Sequence, residues 1–342
     1  NATFSGDSRF NDSFPNFLSD EYIAELKNYY TKYKEEASTF EDADLSEIER
    51  MSKDILLWEC NINLEALTFK NGIYFPIDQM WSVNLLMGQL ASGSSAQPFK
   101  TVEDYNNWLK RVDGFVVWLN SAESRMKEGM AAGYVLPKSL IAKVVPQLKA
   151  MTEPNVEKNL FYSPVKNFPE NFSEEDKKQL TEAYSKMISE KIVPAYQSLH
   201  DFMAGDYSKA GRTATGIADT PNGEAFYKHQ IKKYTTTEMT ADEIHQLGLS
   251  EVARISSEME KVKQQIGFKG DLKAFFNFVR TNKELMPYTE PQQIIDHFYT
   301  IYDTMKPKLE VLFDKKPKTP FEVKQTEKFR ENSASAEYNP GS

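Results

Sequence analysis

Cysteine is almost missing from these 342 residues: Cys60 stands alone, so no disulfide framework can form within the chain, and the count argues neither for nor against export. Its setting, "LLWECNINLEAL", is an apolar helical pattern in which a buried, inert thiol is expected. A positive balance is missing as well. The formal charge is -9 with acids and bases mixed along the whole length, and the longest basic cluster, Lys315-Lys316-Pro317-Lys318, is short and broken by proline. No face for neutralising phosphates stands out, which argues against a nucleic-acid partner. No stretch approaches the ~20 uninterrupted apolar residues of a membrane-spanning helix, and no basic-then-apolar signal segment opens the chain. Of the four histidines, His200, His229, His245 and His297, none lies three or four residues from another. A His-Glu-x-x-His helix is therefore absent, and no zinc or other cofactor is expected within the chain itself. Gly205, Gly211 and Gly216 are irregularly spaced, with no Gly-Lys-Ser/Thr after them, so they do not make a phosphate loop. Strand-like alternation is scarce.

Helix signals are plentiful. Thr240 before Ala241, Asp242 and Glu243 reads as a capping box, and Ile244, Leu247, Val252, Ile255, Met259, Val262 and Ile266 follow as one apolar stripe until Gly267 stops the helix. Ser19 predicts a helix through Lys34, and Leu45 to Leu67 is apolar on a wide face. Thr101 and Asp104 open a helix through Leu119 to about Met130. Pro137 and Ser139 begin Leu140 to Met151, and Ser173 with Asp176 caps another helix, which Pro194 should kink. Asp271 to Arg280 is short and rich in Phe. Thr289 is expected to cap a last long helix, Gln292 to Phe313, bent by Pro307. Only "FEVKQTEKF" alternates as a strand would. The fold class predicted is mainly α: an irregular bundle of long kinked helices with a minor β element near the C-terminal end. Residues 1–205 form an N-terminal helical region, and 206–342 a region with the capped helix and the C-terminal strand, together making one continuous domain. At 40% hydrophobic residues the chain can bury a sizeable core.

Candidate site residues gather around the capped helix. Asn222-Gly223 is a turn dipeptide, followed by Tyr227 and His229, then by Tyr234-Thr235-Thr236-Thr237, whose β-branched residues favour an extended link. Tyr227 and His229 point to different faces of a helix, so they share a cleft only if the backbone there is irregular. His245 lies in the first turn of the long helix with Gly248 above it, leaving its ring open to a substrate or to a nearby loop. Arg254 is a surface partner for Glu251 and Glu258, or an anchor for a substrate carboxylate. His200 and His297, beside Asp201 and Asp296, read as ordinary helix residues. No Ser-His-Asp or Cys-His arrangement can be argued.

The run "NGEAFYKHQIKKYTTTEMTADEIHQLGLSEVARISSEMEKVKQQIGFKGD" is similar to the signature of the bacterial domain of unknown function family eight-eight-five. "RFNDSFPNF", "GMAAGYVLPKSLIAKVVPQL", "KIVPAYQSLHDFM" and "KPKTPFEVKQTEKFRENSASAEYNPGS" match in the same order, so the resemblance covers most of the chain. Many members look like exported lipoproteins. In the family a His-Glu-x-x-Pro-Gly-His-His motif, resembling a zinc-hydrolase helix, lies further downstream. The resemblance therefore implies the N-terminal, substrate-cleft part of an exported zinc-dependent peptidase-like hydrolase, with its zinc ligands beyond Ser342 in a longer parent protein. Its partners would be a peptide-like substrate or the missing C-terminal part. The alternative is a non-enzymatic exported helical module that binds peptides or envelope partners. Asn1-Ala2, without a Met, reads as a processed end, which fits a periplasmic or outer-membrane-anchored lipoprotein with its lipid on a removed N-terminus. Alone, the chain is expected to be inactive, with "FEVKQTEKF" as an open edge and His245, Tyr227 and Tyr338 lining one wall of an incomplete cleft.

Overall fold

A computed structural model describes residues 2–80, 82–93, 95–318, 320–325 and 338. The chain forms two compact units, Asn1–Ala241 and Asp242–Ser342. In the first, short 3-10 turns at Ala2–Ser5 and Ser8–Phe10 lead into α1 (Asp20–Ser38), α2 (Glu47–Ala66), the single turn α3 (Asn71–Tyr74), α4 (Val83–Ala91), α5 (Val102–Ala131) and α6 (Lys138–Met151). Then come the short α7 (Ser163–Lys166), α8 (Glu174–Met187), α9 (Val193–Phe202), the short α10 (Ser208–Ala210) and α11 (Gly223–Thr235). Helix α12 (Ala241–Gln265) begins at the junction, and α13 (Leu272–Thr281) and α14 (Pro291–Leu312) belong to the second unit. The fold is mainly α.

Helix α5 is the axis of the first unit. Tyr105, Trp108, Val112, Phe115, Trp118, Leu119, Ala122 and Met126 recur at three- and four-residue steps and are all buried, so most of its circumference is covered by other elements. Each of the larger side chains among them, such as Val112, Phe115, Leu119 and Met126, contributes roughly 1.5–3 kcal/mol on removal from water. Its start is the reciprocal cap read from the sequence: the Asp104 amide donates to Thr101 Oγ1 at 3.2 Å, and the Thr101 amide donates to Asp104 Oδ2 at 2.9 Å. Tyrosine hydroxyls pin the surrounding elements. Tyr105 donates to the Pro164 carbonyl at 2.9 Å, Tyr184 to that of Tyr105 at 3.2 Å, and Tyr196 to that of Asn84 at 3.1 Å. The Leu136 amide donates to Tyr207 Oη at 3.1 Å. Each of these four phenols thus has a partner, as the desolvation cost of a polar group requires.

Three local readings gain detail from the structure, and one of them, the cap of α14, needs correction. At Pro194, where the sequence predicts a kink, a π-turn over Ile188–Ile192 leads into α9 with the proline in its first turn. Helix α14 is capped by Glu290 and not by Thr289. Pro291 takes the first helical position, where its fixed φ and missing N–H cost least, and Gln293 Oε1 accepts from the Glu290 amide at 3.1 Å. The wide apolar face of α2 does not turn wholly inward. Ile48, Met51 and Ile55 are exposed, and only Cys60 and Ile62 of that helix are buried.

The predicted β element does not appear over residues 321–325, and the remainder of "FEVKQTEKF" lies outside the described residues. A strand needs a ladder partner. Here the Val323 amide donates instead to Tyr299 Oη at 3.1 Å, and Phe321 stacks on Tyr302 with centroids 4.9 Å apart. Among the described residues, β pairing is limited to an isolated bridge between Pro137 and Arg212.

Candidate functional site

Along α11 of the first unit runs a cavity of about 630 Å³, walled by the C-terminal end of α2, by α11 itself and by the segment 237–241 that follows it. Local chemistry fixes each wall. Asn222 takes a left-handed conformation at φ 54° just before α11. A Cβ on the following Gly223 would collide with the Ile217 carbonyl oxygen, so glycine alone fits the turn that launches the helix. At the other end Thr236 is left-handed, φ 55°, an unusual posture for a β-branched residue. The extended link expected from Tyr234 to Thr237 is therefore shorter than the sequence suggests. Thr235 stays helical because its hydroxyl donates back to the Ile231 carbonyl at 2.8 Å.

His229 is the most enclosed polar group of this site. Its side chain is fully buried, with Nδ1 3.5 Å from Glu65 Oε2. That approach lacks hydrogen-bond geometry, and both ring nitrogens are without a hydrogen-bond partner. The Phe69 ring lies against it at 5.3 Å and also meets Phe226 at 5.5 Å, so α2 and α11 are joined by an aromatic contact with one histidine inside it. Glu65 itself is half-exposed. Elsewhere on the wall Lys232 pairs with Glu238 at 3.1 Å. Glu224 and Lys228 also line the cavity, and neither forms an ion pair among the described residues. Tyr227 is 47% exposed. Although α11 is a regular helix, Tyr227 and His229 both border this cavity, which follows the length of the helix instead of one face.

The other candidates lie in the second unit. His245 is exposed on α12. Arg254, also exposed, forms a forked pair with Glu251, the shortest contact being 2.7 Å, which is the surface partnership its spacing allows. Tyr338 is 83% exposed. Of the remaining histidines, His200 Nδ1 meets Asp201 Oδ1 at 2.8 Å and His297 packs beside Tyr288. Cys60 is buried, and burial pushes its thiol up from the ordinary range, so it is protonated and inert.

Glu65 and Phe69 were not singled out by sequence reasoning. A glutamate near a helix end and a lone phenylalanine after it carry no periodic signal, and only the packing of α11 on α2 brings them to the cavity. Zinc would call for three or four ligands from His, Cys or carboxylates. The described residues contain no group of three or more such side chains able to hold a metal ion, so they do not fit a zinc centre.

The family described as "Bacterial protein of unknown function (DUF885)" matches residues 1–342. The chain belongs to that family. A search of curated proteins finds no match. Among solved structures, this DUF885 chain is similar to "the putative lipoprotein from Colwellia psychrerythraea", with a TM-score of 0.79 and 17% sequence identity. The likeness covers 98% of the DUF885 chain but 60% of that protein, so the chain spans less than two thirds of the neighbour's length. At that identity the comparison speaks for the fold.

Proposed function

We propose that this chain forms the helical, substrate-binding part of a larger exported peptidase-like hydrolase. The carrying observation is the α11 cavity, where aromatic surface from Phe69 and Tyr227 lies beside the Glu65 and Glu224 carboxylates. That mixture suits a peptide, since rings hold an apolar side chain while polar groups orient the ends. The 60% span of the structural neighbour supports a longer parent protein. Any metal and its ligands would come from that longer protein, because the described residues do not provide them. Independently of that cavity, we propose His245, Arg254 and Tyr338 of the second unit as substrate-binding residues, each tested by its own alanine substitution as a rise in KM. The test of the whole reading is made on the longer gene product: metal analysis and turnover of a mixed peptide library. Stoichiometric zinc with cleavage is the expected result, and neither would end the proposal.

The neighbour's name supports export with a lipid anchor. No helix among the described residues is long and apolar enough to cross a membrane. Fractionation of cells after labelling with a fatty-acid analogue would decide between soluble periplasmic protein and anchored lipoprotein. A second reading, a non-enzymatic module for peptides or envelope partners, is favoured by the exposed apolar faces of α12 and α14, including Val252, Val262, Phe298 and Met305. Partner capture by the longer protein without any turnover is the outcome that would select it.

A further inference from the structure

We infer that the α11 cavity recognises a primary ammonium group carried on an apolar stem, such as the amino end of a peptide or a lysine side chain. This inference rests on reading the cavity as a substrate cleft and names the chemistry that the cleft selects. Besides Tyr227 and His229, five ionisable side chains, Glu65, Glu224, Glu238, Lys228 and Lys232, line one space. Lys232 and Glu238 neutralise one another, which leaves two carboxylates against one lysine, and Lys228 is bound to neither of them. The unsatisfied balance is negative, so a cation is the complementary guest.

His229 gives that balance a direction. Its ring is sealed against Phe69, with its nitrogens unpartnered and Nδ1 3.5 Å from Glu65 Oε2. A small movement of the Glu65 carboxylate would complete this bond, which makes His229 a positioning residue that holds Glu65 toward the cavity. The outward oxygen of Glu65 is then free to accept from an ammonium group, with Glu224 lining the same space. A charge-assisted hydrogen bond of this kind is among the stronger polar contacts. Beside it, Phe69 and Tyr227 offer ring surface for a cation and its hydrocarbon stem, and Ile231 and Met239 extend the apolar wall. A carboxylate guest would have Lys228 alone to attract it and two acids to repel it.

The experiment uses small probes that contain no cleavable chain, titrated against the full-length protein by calorimetry. Phenylalaninamide stands for an amino terminus, Nα-acetyl-lysinamide for a lysine side chain, and N-acetylphenylalaninamide removes the charge while keeping the ring. One of the amines is expected to bind at least about tenfold more tightly than the acetylated probe, and the better amine identifies the source. Glu65→Gln and Glu224→Gln should each weaken it about tenfold, the loss expected for one charge-assisted hydrogen bond, while Glu238→Gln has a smaller effect. His229→Gln should weaken amine binding and leave the acetylated probe unchanged. If that variant does not fold, the half-exposed Glu65 carries the test. Equal binding of N-acetylphenylalaninamide, or amine binding indifferent to both glutamine variants, would overturn the inference. Amine binding without peptide turnover by the longer protein would leave this site standing and remove the peptidase reading. Turnover without amine preference would do the reverse.

Discussion

Gly114, midway along α5, lies directly beneath the backbone of Phe14: a Cβ added there would run into the Phe14 carbonyl oxygen and stand 3.1 Å from its Cβ. The close approach lets the N-terminal segment lie on the core helix, with the Phe14 ring edge-on to Phe115 at 5.7 Å and to Trp118 at 6.4 Å. Here glycine is needed for room rather than for an unusual backbone angle. Gly114→Ala should therefore cost about 1–3 kcal/mol by overpacking, read as a lower denaturant midpoint. Gly248 of α12 has nothing within 4 Å of its missing Cβ, so Gly248→Ala should instead stabilise its helix by up to about 1 kcal/mol. Equal effects at the two sites would show that the N-terminal segment is not docked as described.

Arg111 fastens the same segment. It is 5% exposed, yet its hydrogen-bond partners are neutral: the Gln97 side chain at 2.6 Å, the Thr3 hydroxyl at 2.7 Å, the Ser13 carbonyl at 3.2 Å and the Phe10 carbonyl. Desolvation lowers its pKa, and Asp12 partly offsets this. The planar fork can reach four acceptors at once, which an ammonium group cannot. Arg111→Met should cost about 2 kcal/mol through the acceptors left unpaired. Arg111→Lys, which keeps a buried charge with fewer donors, should cost at least as much. A harmless Lys variant, measured by chemical denaturation, would refute this account.

How far the sequence could be read differs between helices and site. The helix starts at Ser19, Thr101 and Ser173 were legible because a cap is a local event, decided within four residues. The α12 stop was legible for the same reason: Gly267 is left-handed at φ 71°, and the Phe268 amide closes on the Lys263 carbonyl at 3.1 Å. The π-turn before Pro194 was not, since its extra residue shows only when the ring and the surrounding core are both in place. The described part of "FEVKQTEKF", residues 321–325, is no strand, because alternation states what a strand would look like, not whether a partner exists. Tyr227 and His229 stood out in the sequence through their dense polar and aromatic neighbourhood, and the structure places both on the α11 cavity. Glu65 stayed hidden because its place beside His229 depends on a helix more than 150 residues away in the chain.

The buried phenols predict alkaline sensitivity. Burial raises Tyr105 and Tyr207 from 10.0 to about 12 each, and raises Tyr184 and Tyr196 as well. Their folded-state values lie above the unfolded one, so the folded protein holds these protons longer. The stability they contribute is complete below about pH 10 and is lost as pH climbs through their folded values. Unfolding midpoints measured from pH 8 to 12 should fall steeply above pH 10. Tyr207→Phe should reduce the slope, at the expense of the hydrogen bond from the Leu136 amide. A flat profile through pH 11 would show that these hydroxyls are not enclosed.

Helix α12 carries an apolar stripe of the kind that normally faces a core, yet Leu247, Val252, Ile255, Met259, Val262 and Ile266 are each between 40% and 64% exposed. Exposure of this extent predicts small energetic consequences for polar replacement. Ile255→Lys and Val262→Lys should each change stability by less than about 0.5 kcal/mol, the usual size at uncovered positions, while lowering the binding of a hydrophobic dye. Lys263 serves as the internal contrast. It is 9% exposed, donates to the Gly270 carbonyl at 2.8 Å and pairs with Glu260 at 2.6 Å, so Lys263→Ala should lower the midpoint more than either stripe substitution. If the stripe variants prove the costlier ones, by about 2 kcal/mol each, the face is covered in solution and the second unit is more enclosed than its exposures indicate.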